Sequence, residues 1–428
     1  MNSVLVIGST KKPLMPCRPA RARQLLTAGR AAVYRQRPFT IILKDRQDGA
    51  VQDVELKIDP GSKTSGVALV GHFEQQGAVV LWGANLTHRG QAIKNSLESR
   101  RNLRRGRRQR KTRYRQARFL NRTRPAGWLP PSVESRVTNV ESIAAKLAAR
   151  CPIAAAAVEI VKFDMQAMMN PEISGTEYQQ GELAGYEVRE YLLEKFGRKC
   201  VYCGAENVPL QVEHIRPKAN GGSSRVSNLT IACKPCNLLK SARPVEEFMK
   251  HKPDALKRLL AQAKAPLKDA AAVNAARWAL GNRFKARWPV AFGSGGRTKF
   301  NRTRQGYAKD HWIDAACVGE SGERVTIRDG FKPLGITAKG RGKHQVVSTD
   351  KYGFTRGKAG RVKRVHGFTT GDMVKLVQPR GKYAGTHVGR LAGIRASGSF
   401  DIKTATGIIS ASWKNFTLIQ RNDGFLYD

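Results

Sequence analysis

Four cysteines in two Cys-x-x-Cys pairs, Cys200/Cys203 and Cys233/Cys236, bracket the stretch QVEHIRPKANGG that begins at Gln211. Each pair forms a tight knuckle, and thiolates at this spacing suit a tetrahedral Zn2+ with Zn–S distances of about 2.3 Å. Four sulfurs fill the shell, so such a site is closed and structural. The Glu213-His214 dipeptide is then not needed as a zinc ligand and is free for other work. Scattered acids form a second set in an otherwise basic chain. Asp59 ends the apolar strand VELKID just before Pro-Gly, Glu159 ends AAAAVE, and Asp314 lies in HWIDAACV. His311 precedes Asp314 by three residues, on the same face of a predicted helix. Taken alone, Asp59 suits a turn and Glu159 a solvent-facing strand end.

The stretch VEHIRPKANGGSSRVSNLTIACKPCNLLK resembles the HNH nuclease signature: acid-His, Pro, Gly-Gly, Asn-Leu, Cys-x-x-Cys-Asn and a following Lys. Phosphodiester hydrolysis by in-line attack of water builds negative charge on the phosphoryl oxygens. A neutral imidazole with a pKa near about 6.5 can take the water's proton, and a hard divalent cation can stabilise the leaving oxygen. The resemblance implies His214 as general base, Glu213 and Asn237 as Mg2+ ligands, Asn228 as a brace for the loop bearing His214, and Lys240 beside the scissile phosphate. The family often has Asp where Glu213 stands. In this reading zinc builds the frame, and Glu-His works beside a second, different metal.

The segments LKIDPGSKTSGVAL, AAVEIVKF and HWIDAACVG resemble the three split motifs of a RuvC-type, RNase H-like nuclease. The resemblance implies that Asp59, Glu159 and Asp314 gather around two Mg2+ ions about 3.5–4 Å apart, with His311 assisting the attacking water. Like charges brought together repel, so such a cluster itself calls for cations.

The elements that must position these residues can be read from periodicity and turn chemistry. A short strand, Val4 to Ile7, leads to a turn-rich loop, KKPLMPCRP, then a helix stopped at Gly29 and two strands. Residues 53–87 read as a hairpin and a third strand. VESRVTNVESIAAKLAAR is helical and IAAAAVEIVKF a buried strand. Helix is predicted from Pro253 to Arg287, then a glycine-rich turn, FGSGGRTKFNRTRQG, then a helix near His311. The last 60 residues look like a small five-stranded barrel, and no internal repeat is visible.

Charge is the dominant feature of the composition. The chain has 428 residues, with 76 Lys+Arg against 33 Asp+Glu, a net of +43. Residues 89–124 alone carry 15 Lys/Arg and one acid, Glu98, and read as a helix basic on nearly all sides. Such an excess points to a polyanion, because basic side chains that neutralise phosphates release condensed counterions. Arg100, Arg101, Arg104, Arg105, Arg107, Arg108, Arg110, Lys111, Arg113 and Arg115 are the expected nucleic-acid contacts. A membrane partner is not expected: no run of about 18 apolar residues occurs. No signal peptide is visible. Cys17, Cys151 and Cys317 are scattered singles, and an odd count with two paired spacings reads as metal binding in a reducing cytosol, not as a disulfide framework.

A RuvC-type nuclease interrupted first by an Arg-rich helix and then by an HNH cassette resembles the IscB family, transposon-encoded OMEGA nucleases guided by RNA and akin to CRISPR-type effectors. KKPLMPCRPARARQLL resembles that family's N-terminal PLMP domain, and DKYGFTRG, GFTTGDMVKL and GKYAGTHVGR its C-terminal region. The implied fold is multi-domain α/β: an RNase H-like RuvC core with an inserted zinc-stabilised ββα-metal HNH domain, an Arg-rich bridge helix and a small C-terminal β-barrel. The implied boundaries are 1–52 PLMP, 53–88, 125–180 and 253–330 the three RuvC segments, 89–124 the bridge helix, 181–252 HNH, and 331–428 the C-terminal domain. The implied activity is guide-RNA-directed cutting of both strands of double-stranded DNA, HNH on the guide-paired strand and RuvC on the displaced one, by a monomeric ribonucleoprotein. Large recognition lobes are absent, and an RNA scaffold would supply that bulk.

Two rivals are distinct in kind. An RNA-independent HNH endonuclease of homing or restriction type would not need the carboxylate set or the basic helix, and would co-purify without structured RNA. A non-cutting, zinc-containing nucleic-acid binder would give no magnesium-dependent nicking on any substrate.

Overall fold

The computed structural model describes residues 2–110, 123, 125, 127–160, 186–264, 270–340, 347, 350–352, 354–357 and 364–428. The chain starts with a small sheet of β1 (Val4–Ile7), β2 (Pro13–Cys17), β3 (Ala31–Arg35) and β4 (Thr40–Leu43), in the order β2-β1-β4-β3, with α1 (Pro19–Thr27) against it. Pro19 opens α1 where its missing N–H costs nothing. Gly29, at φ 69°, closes it in the left-handed conformation. The expected turn-rich loop is in fact strand β2. It lies at the sheet edge, where Pro13 and Pro16 remove no central ladder bond.

The antiparallel meander β5 (Val54–Asp59), β6 (Thr64–Phe73) and β7 (Gly77–Thr87) follows. Then come the basic helix α2 (Gly90–Arg108) and α3 (Pro131–Ala148). In α3, Val133, Val137, Val140, Ile143, Ala144 and Leu147 form one buried stripe at helical spacing. Each large side chain buried there contributes roughly 1.5–3 kcal/mol. Strand β8 (Ile153–Ile160) then joins β5 in parallel.

An inserted unit comes next: α4 (Tyr186–Lys195), the hairpin of β9 (Leu210–His214) and β10 (Leu229–Cys233), and helices α5 (Lys234–Lys240), α6 (Val245–Phe248) and α7 (Pro253–Lys264). It has its own core, built on residues such as Tyr191, Leu210, Ile231 and Leu259. The chain returns through α8 (Ala270–Lys285) and β11 (Val290–Ser294), which pairs in parallel with β8, followed by α9 (Gly295–Arg304) and α10 (His311–Ala316). Helix was expected from Pro253 to Arg287, and the described residues of that span are helical over Pro253–Lys264 and Ala270–Lys285.

The predicted glycine-rich turn is a strand and a helix. Gly293 lies so close to Gly319 that a Cβ would meet its backbone nitrogen at 2.7 Å. Ser294 caps α9 by accepting from Arg297 N at 3.3 Å. Here glycine serves close packing, which a turn-based reading cannot tell from chain reversal.

Strand β12 (Val325–Thr326) pairs with β7, as does β13 (Leu334–Ala338), both in parallel. Five strands, β14 (Met373–Gln378), β15 (Gly385–Ile394), β16 (Ser399–Thr404), β17 (Gly407–Ser412) and β18 (Phe416–Gln420), form a separate antiparallel sheet in the order β17-β16-β15-β14-β18. Pairing between the two end strands, which would close a barrel, is absent among the described residues. The final strand β19 (Phe425–Tyr427) crosses back to pair with β13. The central sheet therefore runs β11-β8-β5-β6-β7-β13-β19, and the expected C-terminal segment 331–428 contributes both its first and its last strand to it. Helices α3 and α8 cover one face, over Leu56, Ile58 and Val158. Helix α10 covers the other, over Ala68, Val70 and Val80.

Candidate functional site

Alternation along β5 sends Leu56 and Ile58 to one core and Glu55, Lys57 and Asp59 to the opposite face, under α10. Strand register pairs Ile58 with Val158. Asp59 and Glu159, one residue further along each, therefore end neighbouring parallel strands, which lie about 4.8 Å apart. Asp314 arrives from α10, and His311, one turn earlier, places Nδ1 3.3 Å from Asp59 Oδ2. The four residues expected from distant segments thus meet at one end of the sheet.

Each carboxylate has a basic neighbour. Arg277 Nη2 donates to Glu159 Oε1 at 3.0 Å, Arg302 Nε lies 2.7 Å from Asp314 Oδ1, and His311 faces Asp59. Burial, reinforced by Asp59, pushes the Glu159 carboxyl up to about 8. Asp314 is raised for the same two reasons, against the pull of Arg302. His311 is raised mainly by its hydrogen bond to Asp59. Three carboxylates gathered at a buried sheet end, all hard oxygen donors, fit a divalent cation. Among the described residues, only the four cysteines draw three or more ligand atoms within 4.8 Å of one another.

Helix α10 has six residues and depends on outside contacts for its placement. Gly66, beside Asp59 in the β5–β6 register, lets it approach: a Cβ there would stand 1.7 Å from the His311 carbonyl oxygen. Asn85 accepts from Trp312 N at 3.0 Å and donates to Asp310 Oδ1 at 2.8 Å, fixing the helix start. Lys57, fully buried, donates to the carbonyls of Ala316 and Val318 at 3.3 and 3.0 Å, fixing the end. Sequence reasoning missed Lys57, Asn85, Arg277 and Arg302. Lys57 and Asn85 left a faint signal as polar residues inside apolar strands. Arg277 and Arg302 left none among so many arginines.

In the inserted unit, Cys203 Sγ and Cys233 Sγ are 3.7 Å apart. That matches the edge of about 3.8 Å expected of a tetrahedron with Zn–S of about 2.3 Å, so the four thiols fit a structural Zn2+. His214 ends β9. Asn228 braces the loop after it, accepting from Arg216 N at 2.9 Å and donating to the carbonyls of Arg216 and Ser223 at 3.0 and 2.8 Å. Gly222 is needed there because a Cβ would meet Arg216 O at 1.8 Å. Burial, then Lys218, lowers the His214 pKa and favours its neutral form. Asn237 donates its amide N–H to Gln211 Oε1 at 2.8 Å, so its side-chain oxygen remains available as a hard donor.

Lys240 corrects an expectation. Foreseen beside the scissile phosphate, it is fully buried. Its Nζ donates to Glu213 Oε1 at 2.7 Å and to the His214 carbonyl at 2.9 Å. An ammonium so enclosed fastens α5 to the Glu-His strand and does not touch substrate. Glu213 keeps its second oxygen for another partner.

Helix α2 buries only Gly90. Arg100, Arg101, Arg104, Arg105 and Arg107 are exposed, and Arg108 and Arg110 partly so. The guanidinium groups of Arg107 and Arg110 each lie 4.8 Å from the Phe354 ring centroid, and Arg110 5.2 Å from that of Tyr352. Lys111, Arg113 and Arg115 lie outside the described residues. No described helix is long and apolar enough to cross a membrane.

Residues 4–181 match the RRXRR protein family and residues 200–243 the HNH endonuclease family. The chain thus carries an HNH endonuclease domain, of a class that cuts DNA with the help of a metal ion. No curated protein matches it. Among solved structures it is similar to Streptococcus thermophilus Cas9 in complex with the GGAA PAM, at 13% identity over 65% of this chain and 33% of that one, TM-score 0.22. It is also similar to the type II-C Cas9 enzyme from Actinomyces naeslundii, at 14% identity over 62% of this chain and 59% of that one, TM-score 0.23. The chain thus spans about a third of the first structure, and scores this low carry no argument about its fold.

Proposed function

We propose that this protein is an RNA-guided DNA endonuclease of the IscB type, with a RuvC-like site at Asp59, Glu159, Asp314 and His311 and an HNH site at Glu213, His214 and Asn237. The observation that carries the reading is the meeting of Asp59, Glu159 and Asp314 at one end of the central sheet, in a chain whose HNH-matching unit is inserted between strands β8 and β11 of that sheet. A free-standing HNH enzyme has no use for that second acid set.

Divalent cations, when bound, supply charge stabilisation for the phosphoryl oxygens and a more acidic attacking water. The chain's own groups do the rest. Asp59, Glu159 and Asp314 present hard oxygens for two Mg2+, and His311 orients the attacking water on the displaced strand. His214, neutral near pH 7, takes a proton from water aimed at the guide-paired strand. Glu213 and Asn237 offer oxygens to a single Mg2+ there, while the four cysteines hold Zn2+ and stiffen the unit. The arginines of α2 grip backbone phosphates of guide RNA and heteroduplex, leaving sequence choice to base pairing. The proposed work place is the bacterial or archaeal cytosol.

The test is strand-resolved cleavage of guide-matched plasmid by the ribonucleoprotein. Asp59→Ala should spare the guide-paired cut and abolish the other. His214→Ala should do the reverse, and the double variant should be inert. Unaltered double-strand cleavage by Asp59→Ala would refute the two-site reading.

A further inference from the structure

Each of the three residues after Asp59 gives one backbone group to a side chain that comes from elsewhere. Pro60 O accepts from Arg277 Nε at 3.1 Å. Gly61 N donates to Ser65 Oγ at 3.1 Å, and Ser65 Oγ is itself 2.8 Å from His88 Nε2. Ser62 O accepts from Arg136 Nε at 2.8 Å. The turn is tight: a Cβ on Gly61 would stand 2.0 Å from Thr64 O. Ser65 and Arg277 are nearly inaccessible, at 1% and 3% exposure.

We infer that His88 and Ser65, together with Arg136 and Arg277, are positioning residues for Asp59, fixing the Pro60–Ser62 backbone and so aiming the carboxylate at its cation. This rests on the RuvC-like reading above. Ser65 lies within the stretch LKIDPGSKTSGVAL but carried no expected role, His88 lies outside every motif, and neither touches the reacting atoms. A backbone segment with all three consecutive residues fastened cannot rotate the Asp59 peptide without breaking one of these hydrogen bonds, of which the Arg277–Pro60 bond is buried. Such outer supports typically change metal affinity or activity by about 10–100-fold when removed.

The chemistry of His88 suits a strut. Its backbone N–H donates to Lys63 O at 2.7 Å, so the residue clamps the turn twice. Its Nδ1 is buried and has no partner among the described residues. Burial, then Arg136, pushes its pKa down to about 3, so the imidazole is neutral and does not compete with a cation for Asp59. Arg136 also packs on the first residue of α2, where a Cβ on Gly90 would meet its Cζ at 2.6 Å. The start of the basic helix and the turn after Asp59 are thus both held by the Arg136 side chain.

The experiment compares Ser65→Ala, His88→Phe and His88→Gln ribonucleoproteins on strand-labelled, guide-matched DNA across a Mg2+ titration. The HNH cut in the same molecule reports folding and RNA loading. Ser65→Ala and His88→Phe should slow the displaced-strand cut about 10–100-fold and raise its Mg2+ requirement, with the guide-paired cut within about twofold of wild type. His88→Gln, which can still reach Ser65 with an amide, should recover most of the rate. Mn2+ titrated into the protein carrying Asn237→Ala, which removes an oxygen proposed to hold the HNH ion, and read by electron paramagnetic resonance, should show weaker binding when Ser65→Ala is added. The inference is overturned if displaced-strand rate and Mn2+ binding stay at wild-type levels, or if both cuts fall together. If Asp59→Ala leaves the displaced-strand cut intact, the underlying reading has failed, and this inference with it.

Discussion

Lys240 and Glu213 form a buried ion pair whose value lies in not being broken singly. Lys240→Met takes the partner from Glu213, which is 8% exposed. The inserted unit should lose about 3–5 kcal/mol, and a Glu213→Leu/Lys240→Met double change should recover much of it, both read by urea denaturation. Glu159 offers a second check, in the protein without added divalent cation. Its carboxyl titrates near 4.5 when unfolded and is raised to about 8 by burial beside Asp59. Between those values the folded state binds the extra proton, so stability falls as pH rises through the window. Thermal melts should show this decline, flattened by Glu159→Gln or by Mg2+. At this scale the titrating residues were legible in the sequence because acids are scarce in this chain. Their resident partners Arg277 and Arg302 were not: long basic side chains reach the site from helices whose placement depends on the tertiary fold.

Among the elements, α10 is the most exposed to a single change. A six-residue helix is too short to be stable by itself, so its position follows from Gly66, Asn85 and Lys57. Gly66→Ala should displace it and reduce displaced-strand cutting at least about tenfold, since misplacing reacting groups by about 1 Å can cost 100-fold. The guide-paired cut in the same assay should be unchanged. A helix starting near His311 was foreseen, with His311 and Asp314 on one face, and the meander β5–β7 from alternation. The strand–helix pair β11 and α9 was hidden, because glycines at 293, 295 and 296 read as turn signals, yet Gly293 serves close approach to Gly319. Strand β2 was hidden by its prolines, which only an edge position tolerates.

For the whole molecule, the net charge of +43 makes association with nucleic acid a salt-dependent property. Replacing Arg100, Arg104 and Arg108 with Gln should lower the slope of log K against log salt by roughly one unit for each phosphate that is no longer neutralised, measured by filter binding of the co-purified RNA. Global architecture was the least legible scale. That the carboxylate sheet takes strands from before and after both insertions could be guessed only from resemblance, since no local pattern encodes which strand lies beside which. The return of β19 to the central sheet was not foreseen, because three apolar residues at Phe425–Tyr427 look alike in either sheet.

That return has a consequence for biosynthesis. Strands β5 to β7 are made early, whereas β19, the second partner of β13, is made only after the entire five-stranded sheet has been translated. Until Phe425–Tyr427 leave the ribosome, β13 presents unpaired amides to any passing strand. A ribosome stalled at Gly424 would therefore hold a nascent nuclease with an open, adhesive flank.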